Sequence, residues 1–423
     1  MNEEKIIIID LSSTHISAVA AEVSNDGSVC IIAEESKPSR DIKQGIVEQM
    51  SGVAFGINAV IRLLQNRLQT NRGIDIDTVH VGLNAKSMKH FPYSITRNFR
   101  DYTAITEATI ANLSDEAEEA FRLKDVDVFD VIPQSYHLDG KYFEDPVGHK
   151  AYEICSSYAV VGGNKKIREN LDRCFDRTGL KLSPCMPIAA EALSKALLDD
   201  EERESGCALI HFGHSTTTLA IYAEGTLRHL LVVPLGGHNL TKDIQELGIS
   251  EHNAERLKVK KGCALKNRVS EVIRIRIPSA ESGMPDIVIE SDFLATIIEA
   301  RLEEICTPIF KVLEECPFEL KAGIVISGGA SKLEYMAEFV ETYSGMSVRY
   351  GDHSGWLSPD TNERYYDPSY SLLIGNILLI DEYNKENPTA PIRTKEPKIP
   401  KENIRTRIVN TVLKLFDDDN QMK

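Results

Sequence analysis

Residues 6–9 are four consecutive isoleucines, with Lys5 before them and Asp10 behind. A short β-branched run with charges only at its ends suits a strand buried on both faces. A polar turn follows (Leu11, Ser12, Ser13, Thr14, His15), and residues 16–23 read as a second β segment. The second half of the chain begins the same way. Residues 207–213 read as a buried strand, 215–218 as a polar turn and 219–223 as another strand. This repeat of strand, small polar turn and strand reads as a diverged internal duplication, and it calls for a sheet in each half. The expected class is α/β.

Between the repeats, periodicity predicts a helix over 54–68, with Ile57, Val60, Ile61, Leu64 and Leu68 at helical spacing. A strand is expected over 78–83, an acidic helix around 115–123, strands over 128–139 and 151–161, and a helix over 165–177. In the second half, helices are expected over 292–313 and 332–343, with a short apolar strand at 322–327 between them. Composition changes after about residue 384. Four prolines among lysines over 387–403 predict an extended linker.

The chain has 423 residues, 42% apolar and 26% charged, which excludes collagen, wholesale disorder and a many-span membrane protein. Its net charge of −16 speaks against a whole-surface nucleic-acid binder. No charged n-region followed by an apolar stretch opens the chain, so no signal peptide is expected. The longest uncharged stretch, 205–223, carries His, Gly, Ser and Thr and is wrong for a transmembrane helix. None of the eight cysteines forms a CxxC pair, so they are expected to be reduced core residues in the cytosol.

Small polar turns between β segments can wrap phosphates, because backbone N–H groups point inward and Gly, Ser or Thr keep bulk away. Two such turns occur, at Ser12, Ser13 and Thr14 and at Gly213, Ser215, Thr216 and Thr217. Glycine pairs follow at Gly236-Gly237 and Gly328-Gly329. Each alone is an ordinary turn, but their ordered succession resembles the actin/Hsp70 ATPase superfamily. The likeness narrows at Pro133-Gln134-Ser135-Tyr136-His137-Leu138-Asp139-Gly140 and Asp145-Pro146-Val147-Gly148. It extends to Gly45-Ile46-Val47, to Ala254-Glu255-Arg256-Leu257-Lys258, and to Gly328-Gly329-Ala330-Ser331. Asp367-Pro368-Ser369-Tyr370 with Gly375 also fits, as does a terminal helix after a loose linker. Over nearly its whole length the chain resembles the FtsA family of actin-like bacterial division proteins.

The resemblance implies two actin-like, ribonuclease-H-like halves around a nucleotide cleft. The first half would comprise 1–80, continued at 181–204, with an inserted α+β subdomain over 81–180. The second would have a large subdomain from 205–235 and 301–383 and a small one over 236–300, with a linker at 384–403 and a membrane-targeting helix at 404–416. The implied cofactor is ATP with weakly held Mg²⁺. Ser12, Ser13, Thr14, Gly213, Ser215, Thr216 and Thr217 would grip phosphates. Glu255 and Lys258 would hold ribose and base, and Gly236, Gly237, Gly328, Gly329 and Ala330 would let the nucleotide lie close. Asp10 is the candidate catalytic and metal-binding residue. Implied partners are the FtsZ C-terminal tail, further copies of the chain in a filament, anionic inner-membrane lipid at the division site and other division proteins, with no nucleic acid.

The departures from the family pattern bear on catalysis. A glycine usually stands where Ser12 is and a lysine where His15 is. The second-loop strand ends in His211 rather than aspartate, and Thr218 stands where a further aspartate is usual. Met186 falls where a water-orienting carboxylate or amide is common. Imidazole is a poor substitute for the oxygen ligands of Mg²⁺, so slow or absent hydrolysis is expected. The rival reading is an active ATP-dependent sugar kinase, and a second is a pilus-assembly or rod-shape relative.

The C-terminal segment is legible without any resemblance. At about 100° per residue, Ile404, Ile408, Val409, Val412, Leu413, Leu415 and Phe416 share one half of a helical wheel. Over 391–416 seven Lys/Arg stand against two Glu, in a chain of −16 overall. A basic amphipathic helix beyond a flexible tether reads as a membrane-surface anchor.

Overall fold

The isoleucine run forms the strand Ile6–Leu11, and its alternation divides the first half's interior. Ile7 and Ile9 enter one core, and Ile6 and Ile8 enter another on the opposite face. The strand pairs antiparallel with His15–Val23, which pairs antiparallel with Val29–Pro38. Helix Met50–Leu68 covers this sheet with Ile57, Val60, Ile61 and Leu64 of the expected stripe and with Val53, while Leu68 is only half-buried. His80 bridges Ile8 in parallel, and Thr78–Val79 pairs in parallel with Lys181–Leu182. This computed structural model describes residues 5–68, 76–122, 126–280 and 284–387.

The second half repeats that pattern. Strands Cys207–Phe212, Thr217–Ala223 and Thr226–Val233 pair antiparallel in sequence order. Ile324–Ser327 lies parallel on the other side of Cys207–Phe212, and Val348–Tyr350 lies parallel beyond it. Cys207–Phe212 is buried throughout, with Ala208, Ile210 and Phe212 in one core and Cys207 and Leu209 in another. That two-faced burial explains the continuous apolar run. Helix Ser291–Glu314 closes the outer core with Leu294, Ile298, Leu302, Ile305 and Ile309.

Residues 89–164 contribute four more strands. Lys89–Ala104 pairs with Lys150–Asn164, which pairs with Val126–Leu138, which pairs with Lys141–Phe143. Helix Glu107–Arg122 packs Leu113, Ala117 and Phe121 against them, in a core shared with Ile105, Ile154, Tyr158 and Val160. These strands join the second half's sheet through Leu231 opposite Lys89, so one sheet runs through nine strands. Pro133 sits opposite Tyr158 at a register shift, a place where sheets tolerate proline.

Several expected boundaries move: the strand expected over 78–83 is only Thr78–Val79, and the helices expected over 54–68 and around 115–123 start earlier, at Met50 and Glu107. The helix expected over 332–343 begins only at Met336, after a 3-10 turn over Gly329–Lys332. Tyr335 lies in the left-handed region (φ 60°) and breaks the helix there. Residues 384–386, read as the start of the linker, are the last turn of helix Ser371–Glu386.

The described residues up to Tyr383 form one compact unit. The anchor residues Ile404, Ile408, Val409, Val412, Leu413, Leu415 and Phe416 lie outside the described residues. Among the described residues no helix is long and apolar enough to cross a membrane.

Candidate functional site

The two polar turns face each other. In the first, Ser12 N–H donates to the His15 carbonyl at 3.0 Å, and Ser12 Oγ accepts from the N–H groups of Thr14 and His15, both at 3.2 Å. In the second, Gly213 N–H donates to the Thr216 carbonyl at 3.0 Å. Ser13 Oγ and Ser215 Oγ join them across the gap at 2.7 Å. Asp10, Ser12, Ser13, Thr14, Gly213, Ser215, Thr216 and Gly329 thereby line one cavity of about 310 Å³. Those eight residues, widely separated in sequence, converge on one cavity. His15, Asn84, His211, His214, Ser369 and Asn376 add polar groups to the wall, and Val47, Val81, Leu83, Ile167, Leu171 and Leu372 give it an apolar side.

Other expected residues stand behind this wall. Thr217 is fully buried and donates Oγ1 to the Leu235 carbonyl at 2.9 Å, so it braces the loop rather than facing the cavity. Gly236 and Gly237 open helix Gly237–Gln245, and the N–H groups of Gly237 and His238 donate to the Gly213 and His214 carbonyls at 2.9 and 2.8 Å. A Cβ on Gly236 would lie 2.7 Å from the Gly213 oxygen, so glycine is needed for this close approach. Gly328 has φ +95°, and a Cβ there would lie 2.5 Å from the Phe212 oxygen. Gly328 does not line the cavity. A Cβ on Gly329 would meet only Ser369, at 3.8 Å. Met186 packs, half-buried, against the first core and does not line the cavity. Thr218 donates Oγ1 to Asn84 Oδ1 at 3.1 Å, tying the two halves where the family usually has an aspartate.

Glu255 and Lys258 lie one helical turn apart on helix Glu251–Lys261. The buried Lys258 Nζ donates to Glu255 Oε2 at 2.8 Å, to Thr241 Oγ1 at 2.9 Å and to the Gly237 carbonyl at 3.0 Å. Thr241 Oγ1 donates to the same carboxylate oxygen. Burial pushes the Glu255 carboxyl up, but its bonds from Lys258 and Thr241 outweigh burial and hold it below the usual range. A Cβ placed on Gly237 would approach Ala330 Cβ at 3.1 Å and Lys258 Nζ at 3.6 Å. Gly237, Lys258 and Ala330 thus meet as one surface.

The charge pattern around the cavity is unusual for a phosphate pocket with a metal. Asp10 is the one carboxylate among the described lining residues. His15 Nε2 lies 3.5 Å from Asp10 Oδ2, and this contact raises the imidazole's pKa against the opposing effect of burial. His15 Nδ1 lies 2.9 Å from both Ser12 Oγ and Thr14 Oγ1. His211 is buried, its Nδ1 has no partner, and burial lowers it to about 4. His214 stacks on His238 at 4.8 Å and is also lowered to about 4, chiefly by burial. Among the described residues no three His, Cys, Asp or Glu side chains are grouped to hold a metal. The glycine-backed surface, the facing hydroxyls and the orphaned His211 nitrogen fit a polar, phosphate-bearing ligand. A single carboxylate suits Mg²⁺ only when water and ligand oxygens fill most of its shell.

Sequence reasoning missed Asn84, Ser369 and Asn376 as cavity residues. Ser369 belongs to the Asp367-Pro368-Ser369-Tyr370 motif, whose pattern alone assigns it no contact. Gly82 carried a signal only in retrospect: a Cβ there would lie 2.3 Å from Asn376 Nδ2.

Solved structures define the class. The chain superposes on the PilM–PilN type IV pilus biogenesis complex (TM-score 0.61, 14% identity, 90% of this chain and 98% of that one). It also superposes on MreB5 of Spiroplasma citri bound to ADP (TM-score 0.55, 13% identity, 92% and 99%). The fold is that of the actin superfamily, with open mixed sheets and helices. The model of the family "Cell division protein FtsA" matches residues 208–375. Curated proteins of that name match over most of their length. That of Pseudomonas aeruginosa is 28% identical over 352 residues (82% of each chain), and that of Escherichia coli K12 is 26% identical over 385 residues (88% of this chain and 90% of that one). That of Borreliella burgdorferi is 24% identical over 416 residues (93% and 95%). The chain is thus similar, over most of its length, to the FtsA family of cell-division proteins.

Proposed function

We propose that this protein tethers the FtsZ ring to the inner membrane as a self-assembling adaptor whose cleft binds ATP. The observation that carries the nucleotide part is the convergence of both polar turns and Gly329 on one cavity, latched by Ser13 and Ser215. In this reading the repeated sheet pattern represents the two ribonuclease-H-like halves, and the turns cradle the phosphates. Adenosine lies over the surface made by Gly237, Ala330, Lys258 and Glu255. Asp10 would hold Mg²⁺, which neutralises phosphate charge when bound. Hydrolysis is slow because no lining carboxylate besides Asp10 can orient a water, and the neutral His211 has nothing to align it. The same shortage disfavours the sugar-kinase reading.

Residues 89–164, with their separate core, are read as part of the inserted subdomain at 81–180 that makes longitudinal filament contacts. Residues 236–300 are read as the small subdomain that receives the FtsZ tail. The segment 404–416 supplies the membrane contact, and other division proteins would join at the assembled septum. A purified sample should bind ATP in calorimetry and pellet FtsZ-tail peptide with anionic liposomes. Robust Mg²⁺-dependent turnover that Asp10→Ala abolishes would refute slow hydrolysis. Liposome pellets that never carry the peptide would refute the tether.

A further inference from the structure

A second and larger recess, of about 650 Å³, opens beside the loops and shares Ser13, Thr14, His214 and Ser215 with them. Its walls come from residues 38–48 and Lys86 in the first half and from helices Gly237–Gln245 and Glu251–Lys261 in the second. Four cations line it, Arg40, Lys43, Lys86 and Lys242, against two carboxylates, Glu48 and Glu251. Lys43 is neutralised by Glu48 at 2.7 Å. Among the described residues no carboxylate lies within salt-bridge distance of Arg40, Lys86 or Lys242. In a chain of net charge −16, three uncommitted cations converging on one recess are a marked local reversal. They stand on both walls, so an anion between them would be held from two sides. The recess is too polar and open to serve as a core void, and the hydroxyls it shares with the loops already suit phosphate oxygens.

We propose that this recess is a polyphosphate-binding site distinct from the adenosine surface, with Arg40, Lys86 and Lys242 as its ligands. It takes a linear chain of phosphates, free or as the extension of a nucleotide's phosphate tail. It adjoins the loops through Ser13, Thr14, His214 and Ser215, and it needs neither Glu255 nor Lys258.

The test is calorimetric titration of the full chain with inorganic tripolyphosphate at moderate salt. It compares wild type, Lys86→Ala with Lys242→Ala, and Glu255→Gln with Lys258→Met, each checked for folding by circular dichroism. Wild type should bind, and more weakly as salt rises. The Lys86/Lys242 variant should lose about tenfold or more in affinity, as expected for removing charge-assisted contacts. The Glu255/Lys258 variant should keep tripolyphosphate binding. Adenosine tetraphosphate should bind wild type more tightly than ATP, and the Lys86/Lys242 variant should erase that preference. No tripolyphosphate binding by wild type, or equal binding by the Lys86/Lys242 variant, overturns the proposal. ATP carries the adenosine arm separately. Tripolyphosphate binding without ATP binding would refute the nucleotide reading and leave this site standing.

Discussion

Gly328 and Gly329 are adjacent, yet the structure assigns them opposite consequences on substitution. At Gly328 the backbone has φ +95°, where an L side chain is strained by about 1–3 kcal/mol. An added Cβ would also lie 2.5 Å from the Phe212 oxygen and 2.8 Å from its carbonyl carbon. Those are backbone atoms of a fully buried strand, and forcing them apart costs about 1–3 kcal/mol more. Gly328→Ala should therefore destabilise by about 2–6 kcal/mol. At Gly329 the dihedral is ordinary and a Cβ meets nothing nearer than Ser369 Cβ at 3.8 Å. Gly329→Ala should leave stability within about 0.5 kcal/mol, or raise it by up to about 1 kcal/mol by restricting the unfolded chain. It nevertheless puts a methyl on the cavity wall where the nucleotide is proposed to touch backbone. ATP affinity should fall by about tenfold, close to 1.4 kcal/mol. Denaturant titration and calorimetry on both variants separate the effects. Gly329→Ala with lost stability, or with unchanged ATP affinity, would refute the division of roles. So would a fully stable Gly328→Ala.

Lys258→Met removes three hydrogen bonds and leaves Glu255 partly exposed beside the buried Thr241. With the carboxylate's exposure discounted, the loss should be about 2–4 kcal/mol in denaturant titration, and a neutral result would mean the network is not held in solution. Stability should also fall with acid. His211's folded pKa of about 4 lies below the unfolded value, so its contribution is full above about pH 6.5 and is lost as pH drops towards 4. Between pH 7 and 5 that single residue accounts for about 2 kcal/mol, and His211→Gln should flatten the decline by that amount. An unchanged slope would show that the imidazole protonates freely in the folded state. Ile408→Glu with Leu415→Glu should release the protein from anionic liposomes, whereas wild-type binding should rise steeply with protein concentration as weak anchors act together. A double mutant that still pellets would point to a docked helix instead.

The sequence carried the framework because its strands are buried on both faces. Unbroken apolar runs such as 6–9 and 207–210 are hard to read otherwise, and the polar turns after them declared the cleft. The long strand Lys89–Ala104 was not legible. It is mostly exposed or half-buried, contains Pro92, and gains its partners only when Lys150–Asn164 arrives from far along the chain. Its continuity with the second half's sheet rests on one pairing, Leu231 with Lys89, which no local pattern encodes. Within the site, glycines and hydroxyls in turns were visible because turns need them. Asn84 and Asn376 were invisible, since an isolated asparagine has the same appearance on a surface as in a cavity wall. Nor does the spacing of Glu255 and Lys258 reveal that Lys258 also ties Glu255 to Thr241 and to the start of the preceding helix.

The most direct test of the account is calorimetric titration of the intact chain with ATP, repeated with Ser13→Ala combined with Ser215→Ala. Those hydroxyls meet at 2.7 Å across the cleft and belong to the two turns that would share the phosphates. The account predicts saturable binding by wild type and clear weakening in the double variant, with folding stability little changed. Absence of ATP binding by wild type, or binding indifferent to both hydroxyls, would contradict it.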